Sequence, residues 1–237
     1  NTNFTINNLL DVTAGDPSLK QTIPFRMDCT KRNIYINGGF CLKLGLGSAG
    51  TPVGTAYAPR WLQKGSDYLG FQIYKDAGYS TVWGPNANAP AQQIRETLTM
   101  SGSTIFTDWP ITEIGAYPLH VELLSTFPTV AGVSTIQMLA PGTYSSTFNS
   151  GNNTYYRLAF GLGTNADCSN GGENSGIQSL NFTVTAVINP QCKITTAAAD
   201  IDFGTQSGAA TNLQGSTAVG VRCTRTTPYY IGLRPGN

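Results

Sequence analysis

The first stretch of the chain that could carry chemistry is glycine-rich: residues 45–50 read GLGSAG and match the G-x-G-x-x-G fingerprint of dinucleotide sites. That fingerprint functions where it opens a helix, because the N-terminal amides of the helix hold the pyrophosphate. Pro52 and Pro59 follow closely, so no helix is expected there. Gly161 and Gly163 also match the start of the fingerprint, but they precede a polar stretch and are not expected to open a helix either. The sequence therefore predicts no nucleotide cofactor.

The sequence also lacks the residues that acid–base catalysis or metal binding would need. A Ser–His–Asp arrangement would need His120, the single histidine, but no G-x-S-x-G accompanies it. The alternation of residues 119–123 instead predicts a histidine on the surface of a strand. Asp108, Glu113 and Glu122 are scattered without the pairing that glycoside hydrolysis requires. One histidine and no CxxC leave no zinc set. We expect neither an enzyme nor a metal protein.

The composition restricts the class of partner. Charged residues make up 11% of the 237 residues and the net charge is +1, against about 25% charged residues in an average domain. Without a basic block, binding to nucleic acid is not expected. The 27 glycines and 13 prolines favour short strands and turns. The chain starts at Asn1 without a signal peptide, which predicts a mature or trimmed secreted protein.

The five cysteines fit an internal repeat. Residues 22–32 and 216–226 both alternate apolar side chains and end in Cys-Thr, at Cys29 and Cys223. Cys192 precedes Cys223 by 31 residues (223 − 192), so the equivalent partner of Cys29 would lie before residue 1. We infer two disulfides, Cys192–Cys223 and Cys41–Cys168, with Cys29 paired upstream of this chain. A free buried thiol at Cys29 is the alternative.

A domain boundary is expected near residue 187. Residues 179–188, SLNFTVTAVI, alternate like the last strand of a sheet, and NPQCKI then restarts the chain with a turn and a cysteine. We predict one domain over residues 1–187 and the start of a second over residues 188–237. About 50 residues can hardly close an independent core.

A family resemblance joins these observations. The segments that carry it are Cys29-Thr30, CLKLGLG (41–47), PRWLQKGSDYLGFQIYKDAGYSTVWG (59–84), PLHVELL (118–124), APGTYSSTF (140–148), NFTVTAVI (181–188), CKITTAAADIDFGTQ (192–206) and GVRCTRTTPYYIGLRPGN (220–237). Together they resemble two successive domains of the spore coat protein U-type pilin family of archaic chaperone–usher pili. Among its members, the two-domain tip adhesins of Csu-type pili are the most similar.

The resemblance implies an all-β fold of two successive immunoglobulin-like sandwiches, the second lacking its last strand. A periplasmic chaperone, and then the N-terminal extension of the next pilus subunit, would supply that strand by donor-strand complementation. An outer-membrane usher would assemble the pilus, and the subunit would lie at its extracellular tip. No cofactor is implied.

Two uncharged loops are the candidate surface-binding sites. Family members connect PLHVELL to PGTY by a short turn, whereas here residues 125–144 read STFPTVAGVSTIQMLAPGTY. The loop over residues 48–59 is similarly apolar. We predict apolar tips that bind abiotic surfaces and support biofilm formation; their residues are Ala49, Pro52, Val53, Ala56, Pro128, Val130, Ala131 and Val133. The alternative is that residues 125–144 fold back and cap the sandwich. A weaker third tip would lie at 85–91 or 158–162.

The runner-up function is a lectin-like tip adhesin that binds a host glycan. Such a site would need a concave pocket with an aromatic platform, for which the candidates are Trp61, Trp83, Trp109, Tyr155 and Tyr156. Burial of the tryptophans would remove this platform.

Overall fold

The computed structural model describes residues 2–24, 26–29, 38–53, 57–84, 94–98, 112–116, 118–152, 154–160, 177–209 and 211–233. In chain order its strands are β1 Thr2–Ile6, β2 Lys20–Ile23, β3 Arg26–Cys29, β4 Gly38–Lys43, β5 Arg60–Lys64, β6 Asp67–Tyr74, β7 Ile94–Leu98, β8 Thr112–Ala116, β9 Leu119–Leu123, β10 Thr126–Val130, β11 Val133–Thr135, β12 Gly142–Phe148, β13 Tyr155–Phe160, β14 Ile177–Ser179, β15 Phe182–Ile188, β16 Cys192–Thr196 and β17 Gly220–Cys223. Helical residues in the described ranges form short 3-10 turns, at Leu9–Asp11, Pro17–Leu19, Ile136–Met138 and Ser150–Asn152. The predicted all-β class is confirmed.

The strands form a sandwich of two main sheets. A seven-stranded sheet has the order β1-β15-β12-β5-β6-β9-β2, and a four-stranded sheet has the order β14-β13-β4-β7. The pairs β3–β8, β10–β11 and β16–β17 form small sheets of their own. Alternation in the sequence decides which side chains point inward: in β12, Tyr144, Ser146 and Phe148 are buried while the residues between them are exposed.

The sandwich supplies its own last strand. β15 lies between β12, with which it pairs antiparallel, and β1, with which it pairs in parallel. Val184, Ala186 and Ile188 of β15 point into the core and are fully buried. The side-chain amide of Gln21 in β2 donates to the carbonyl of Asn3 in β1 at 2.8 Å, so the two edges of the sheet lie close together.

Aromatic and aliphatic side chains fill the space between the sheets. Leu42 of β4 is buried in the same cluster as Leu62 and Phe71 of the larger sheet. Phe148 packs edge-on against Phe71 at 6.2 Å between ring centroids and stacks on Phe182 at 4.6 Å. Each such side chain contributes about 1.5–3 kcal/mol through burial.

The register defines two ends of the larger sheet. Arg60 pairs with Phe71, and Lys64, at the other end of β5, pairs with Asp67. Because Gly142 pairs with Ile188, the chain leaves β15 at the same end as Lys64. We call these the Arg60 end and the Lys64 end. Residues 189–233, here named the C-terminal segment, follow from the Lys64 end.

Candidate contact surfaces

The loop that begins at residue 47 is anchored on the Arg60 end of the sandwich. The backbone N–H of Ser48 donates to the carbonyl of Thr147 at 2.8 Å, and the N–H of Thr147 donates to the hydroxyl of Ser48 at 2.9 Å. Ala49 is half-buried and packs against the core, and Pro52 is also half-buried. Val53 is 43% exposed. Ala56 lies outside the described residues, so Val53 and part of Pro52 form the described apolar surface of this loop.

A buried arginine holds both sides of the same loop. The Arg60 guanidinium donates from Nε to the carbonyl of Gly45 at 2.8 Å and from Nη2 to the carbonyl of Leu44 at 3.1 Å. Its Nη1 donates to Oε1 of Gln72 at 2.5 Å, and the Gln72 amide donates to the carbonyl of Tyr57 at 3.1 Å. Burial lowers the pKa of Arg60 to about 9, which leaves it charged at neutral pH. Arg60 therefore fixes where the loop leaves the sandwich and where it returns.

The second predicted loop is a β-hairpin. Thr126 pairs with Thr135 and Val130 with Val133. Ala131 and Gly132 form the turn with φ values of 48° and 80°, the two positive φ values of a type I′ turn. Pro128, Thr129, Ala131 and Gly132 are exposed, and Val130 is half-buried against the core.

Most apolar residues of this hairpin cap the sandwich. Val133 is only 3% exposed, so its prediction as a surface-binding tip is wrong. Phe127 covers Gly70 and packs edge-on against Trp61 at 5.7 Å. Ile136 and Leu139, which follow the hairpin, are fully buried. The apolar character of residues 125–144 thus serves mainly the fold, as the capping alternative predicts.

The predicted aromatic platform for a glycan is not present where the structure can be inspected. Trp61 and Trp83 are buried in the core. Tyr155 is buried as well, and Tyr156 is half-buried against the core. Trp109 and the weaker third-loop candidate at 85–91 lie outside the described residues. Of the candidate at 158–162, residues 158–160 form the end of β13 and residues 161–162 lie outside the described residues.

His120 is on a strand as predicted, but it is buried rather than exposed. Its Nδ1 lies 3.0 Å from the Thr22 hydroxyl, and its ring packs edge-on against Tyr79 at 5.7 Å. Glu122 forms an ion pair with Lys20 at 3.6 Å. In the part of the chain that the structure describes, no three His, Cys, Asp or Glu side chains are grouped as metal ligands would be. None of the described helices has the length and apolarity of a bilayer-crossing segment.

The C-terminal segment presents a large apolar surface, at residues that were not among the predicted sites. Ile194 is 64% exposed, Tyr230 is 97% exposed and Leu233 is 93% exposed. A groove of about 300 Å³ runs between the β16–β17 pair and residues 229–232. It is lined by Cys192, Lys193, Ile194, Val219, Val221, Tyr229, Tyr230, Ile231 and Gly232. The apolar run at residues 229–233 was the signal in the sequence.

The disulfide predictions are partly tested. Cys192 and Cys223 are bridged, with their Cα atoms 4.0 Å apart, just below the expected range of about 4.4–6.8 Å. Cys41 is buried and disulfide-bonded. Its predicted partner, Cys168, lies outside the described residues. The partner of Cys29 stays a prediction.

Comparisons with known proteins cover most of the chain. The family model described as Spore Coat Protein U domain matches residues 1–150 and 178–237. No curated protein sequence matches the chain. Among solved structures, the chain is similar to one in the crystal structure of the CsuC–CsuE chaperone–tip adhesion subunit pre-assembly complex from archaic chaperone–usher Csu pili of Acinetobacter baumannii. That similarity has 10% sequence identity and a TM-score of 0.39, and covers 95% of this chain and 67% of the other.

Proposed function

Because this chain belongs to the Spore Coat Protein U family, we propose that it is a subunit of a chaperone–usher pilus and acts as its tip adhesin. It carries no catalytic role in this proposal. The subunit passes through the periplasm with a chaperone, is added to the pilus at an outer-membrane usher and comes to lie outside the cell at the pilus tip. There it attaches the cell to apolar abiotic surfaces and supports biofilm formation.

The observation that carries this proposal is a contrast between the two parts of the chain. The sandwich holds β15 as its own last strand, with Val184, Ala186 and Ile188 buried. The C-terminal segment instead leaves Ile194 and residues 229–233 exposed. A sheet that is complete needs no donor strand, whereas the β16–β17 pair forms a separate sheet of two strands that a partner's strand can extend.

We assign the C-terminal segment to the start of a second immunoglobulin-like domain, which begins near residue 188. An extended apolar strand of a partner, first the chaperone's and then the next subunit's, completes that domain. Main-chain hydrogen bonds along the edge and alternate side chains in the groove then share the binding energy.

The adhesive surface in this proposal is the loop at the Arg60 end, opposite the C-terminal segment. Pro52 and Val53 are its apolar contacts; the hairpin tip at Pro128 and Ala131 is a separate exposed surface, because the hairpin leads into β12 at the Lys64 end. Each contact is small, but many pili on one cell multiply weak contacts into firm attachment. A glycan-binding role is not proposed, because Trp61 and Trp83 are buried.

Co-expression with a tagged periplasmic pilus chaperone tests the proposed assembly. The chain should be captured on the chaperone, and replacing Ile194 and Ile231 together by Asp should abolish capture, because charges in the groove exclude an apolar strand. Thr195→Asp, at an exposed residue of β16 that does not line the groove, is the matched control and should be captured normally. A C-terminal segment that melts cooperatively as a monomer without chaperone or donor peptide would count against the proposal.

A further inference from the structure

Two ion pairs connect the C-terminal segment to the sandwich. Lys193 of β16 pairs with Asp11, which lies in the 3-10 turn after β1. Arg225, in the turn after β17, pairs with Asp67 at the start of β6. The cations both belong to the C-terminal segment and the carboxylates both belong to the sandwich. The two carboxylates come from separate parts of the sandwich, so the segment is held at two points.

Uncharged hydrogen bonds tie the same junction together. The side-chain amide of Asn189 donates to Oδ1 of Asn7 at 2.8 Å. The backbone N–H of Gln191 donates to the hydroxyl of Thr224 at 3.1 Å, and the N–H of Thr224 donates to the carbonyl of Gln191 at 2.9 Å. Thr224 is buried and directly precedes Arg225. The position of Arg225 is therefore coupled to the linker itself.

The chain has few charged residues, yet two ion pairs form at this junction. Only 13 acidic residues occur in 237, and two of them meet the two basic side chains at this junction. Exposed ion pairs are individually weak and are screened by salt. Here the linker holds the C-terminal segment next to the sandwich. When one ion pair forms, it therefore raises the effective concentration at which the two side chains of the other ion pair meet.

We propose that Lys193–Asp11 and Arg225–Asp67 act together as an orientation lock that holds the C-terminal segment in one orientation relative to the sandwich, and that high ionic strength releases it. A single covalent linker allows the two parts to rotate about each other, whereas two separate contacts do not. This inference holds whatever the sandwich binds, and it does not depend on the pilus function.

Zero-length crosslinking of the full chain tests the coupling between the two pairs. A carbodiimide joins the Lys193 amine to the Asp11 carboxylate as an amide, and takes up the released water as its urea. The crosslinked peptide is quantified by mass spectrometry. Its yield should fall several-fold in Asp67→Asn and in about 1 M NaCl, where the Debye length is about 3 Å. The charge swap of Asp67→Arg with Arg225→Asp should restore it at low salt.

Lys20–Glu122 is the internal reference, because the pairing of β2 with β9 keeps these residues together regardless of the junction. Its crosslink yield should not change in any variant. Asp76→Asn, which removes a carboxylate at the Arg60 end, should leave the Lys193–Asp11 yield unchanged. The proposal is overturned if Asp67→Asn leaves that yield at its parental value, or if the charge swap fails to restore it.

Discussion

Phe127 lies directly over Gly70: a Cβ added at Gly70 would come within 2.8 Å of the Cβ of Phe127. Gly70 is in the middle of β6, on the outer face of the larger sheet, where a side chain would normally stand. Its missing side chain creates the space into which the hairpin of β10 and β11 places an aromatic ring. This contact explains why so apolar a loop can lie on the surface of the sandwich.

The first prediction follows from that contact. Phe127→Ala should destabilise the protein by about 3–5 kcal/mol, because a buried ring is lost and a cavity remains. Gly70→Ala should cost about 1–3 kcal/mol through overpacking. The double variant keeps the Cβ at position 127, which is the atom nearest the added methyl, so the cost of Gly70→Ala should largely persist in it. Chemical denaturation measures all three free energies of unfolding.

Thr129→Ala is the control for these changes, because Thr129 is exposed on the same hairpin. It should change the free energy of unfolding by less than about 0.5 kcal/mol. If Phe127→Ala were equally neutral, the hairpin would be a free projection and not a cap.

The second prediction concerns Arg60. Arg60→Met should destabilise the protein by about 3–5 kcal/mol, because the buried carbonyls of Leu44 and Gly45 lose their donor. Arg60→Lys should not rescue it, since an ammonium cannot reproduce the fork of the guanidinium. Differential scanning fluorimetry can compare both with Arg222→Met, an exposed arginine whose loss should be nearly neutral. Wild-type melting of Arg60→Met would show that the loop is held by other contacts.

The third prediction is a pH dependence at the turn over residues 76–81. Hydrogen bonds from the backbone N–H of Thr81, and then from Ser80, lower the pKa of Asp76 to about 2 from 3.8. Because the folded pKa is below the unfolded one, the ionised carboxylate stabilises the turn above about pH 4. That contribution is lost as the pH falls from about 4 towards 2.

Amide chemical shifts of Ser80 and Thr81 should therefore titrate with a midpoint near pH 2, and Asp76→Asn should abolish the titration. Protonation should also release Tyr79 from its positive φ of 54°. A midpoint near pH 4 would mean that the turn does not hold the carboxylate.

Strand positions could be predicted from the sequence where alternation was complete, as in residues 182–188. The burial of Arg60 could not be predicted in this way, because it depends on carbonyls of residues 44, 45 and 83, which are distant along the chain. The same limit applied to Val133. The apolar residues of 125–144 show no clean alternation, and only the tertiary structure shows that the hairpin lies against Gly70 and Trp61.

The apolar run at residues 229–233 is visible in the sequence, but periodicity could not predict that these residues are exposed, for a different reason. The apolar residues at 229–233 have the composition of a core. Whether such residues are covered depends on what packs against them, and periodicity contains no information about that. The disulfide from Cys192 to Cys223 was predicted from the internal repeat and is confirmed.

The adhesin role is tested most directly by the attachment of piliated cells to an apolar plastic. Attachment is compared between two variants, Val53→Thr and Met138→Thr. The two parent side chains are equally exposed, at 43%. Val53 lies at the Arg60 end, and Met138 lies beside the turn of residues 9–11 at the other end. Neither change should alter pilus assembly or melting by more than about 0.5 kcal/mol. We predict that Val53→Thr lowers attachment, including at high salt, and that Met138→Thr leaves it unchanged. Equal attachment by both variants, on cells with equal numbers of pili, would contradict the adhesive role of this loop.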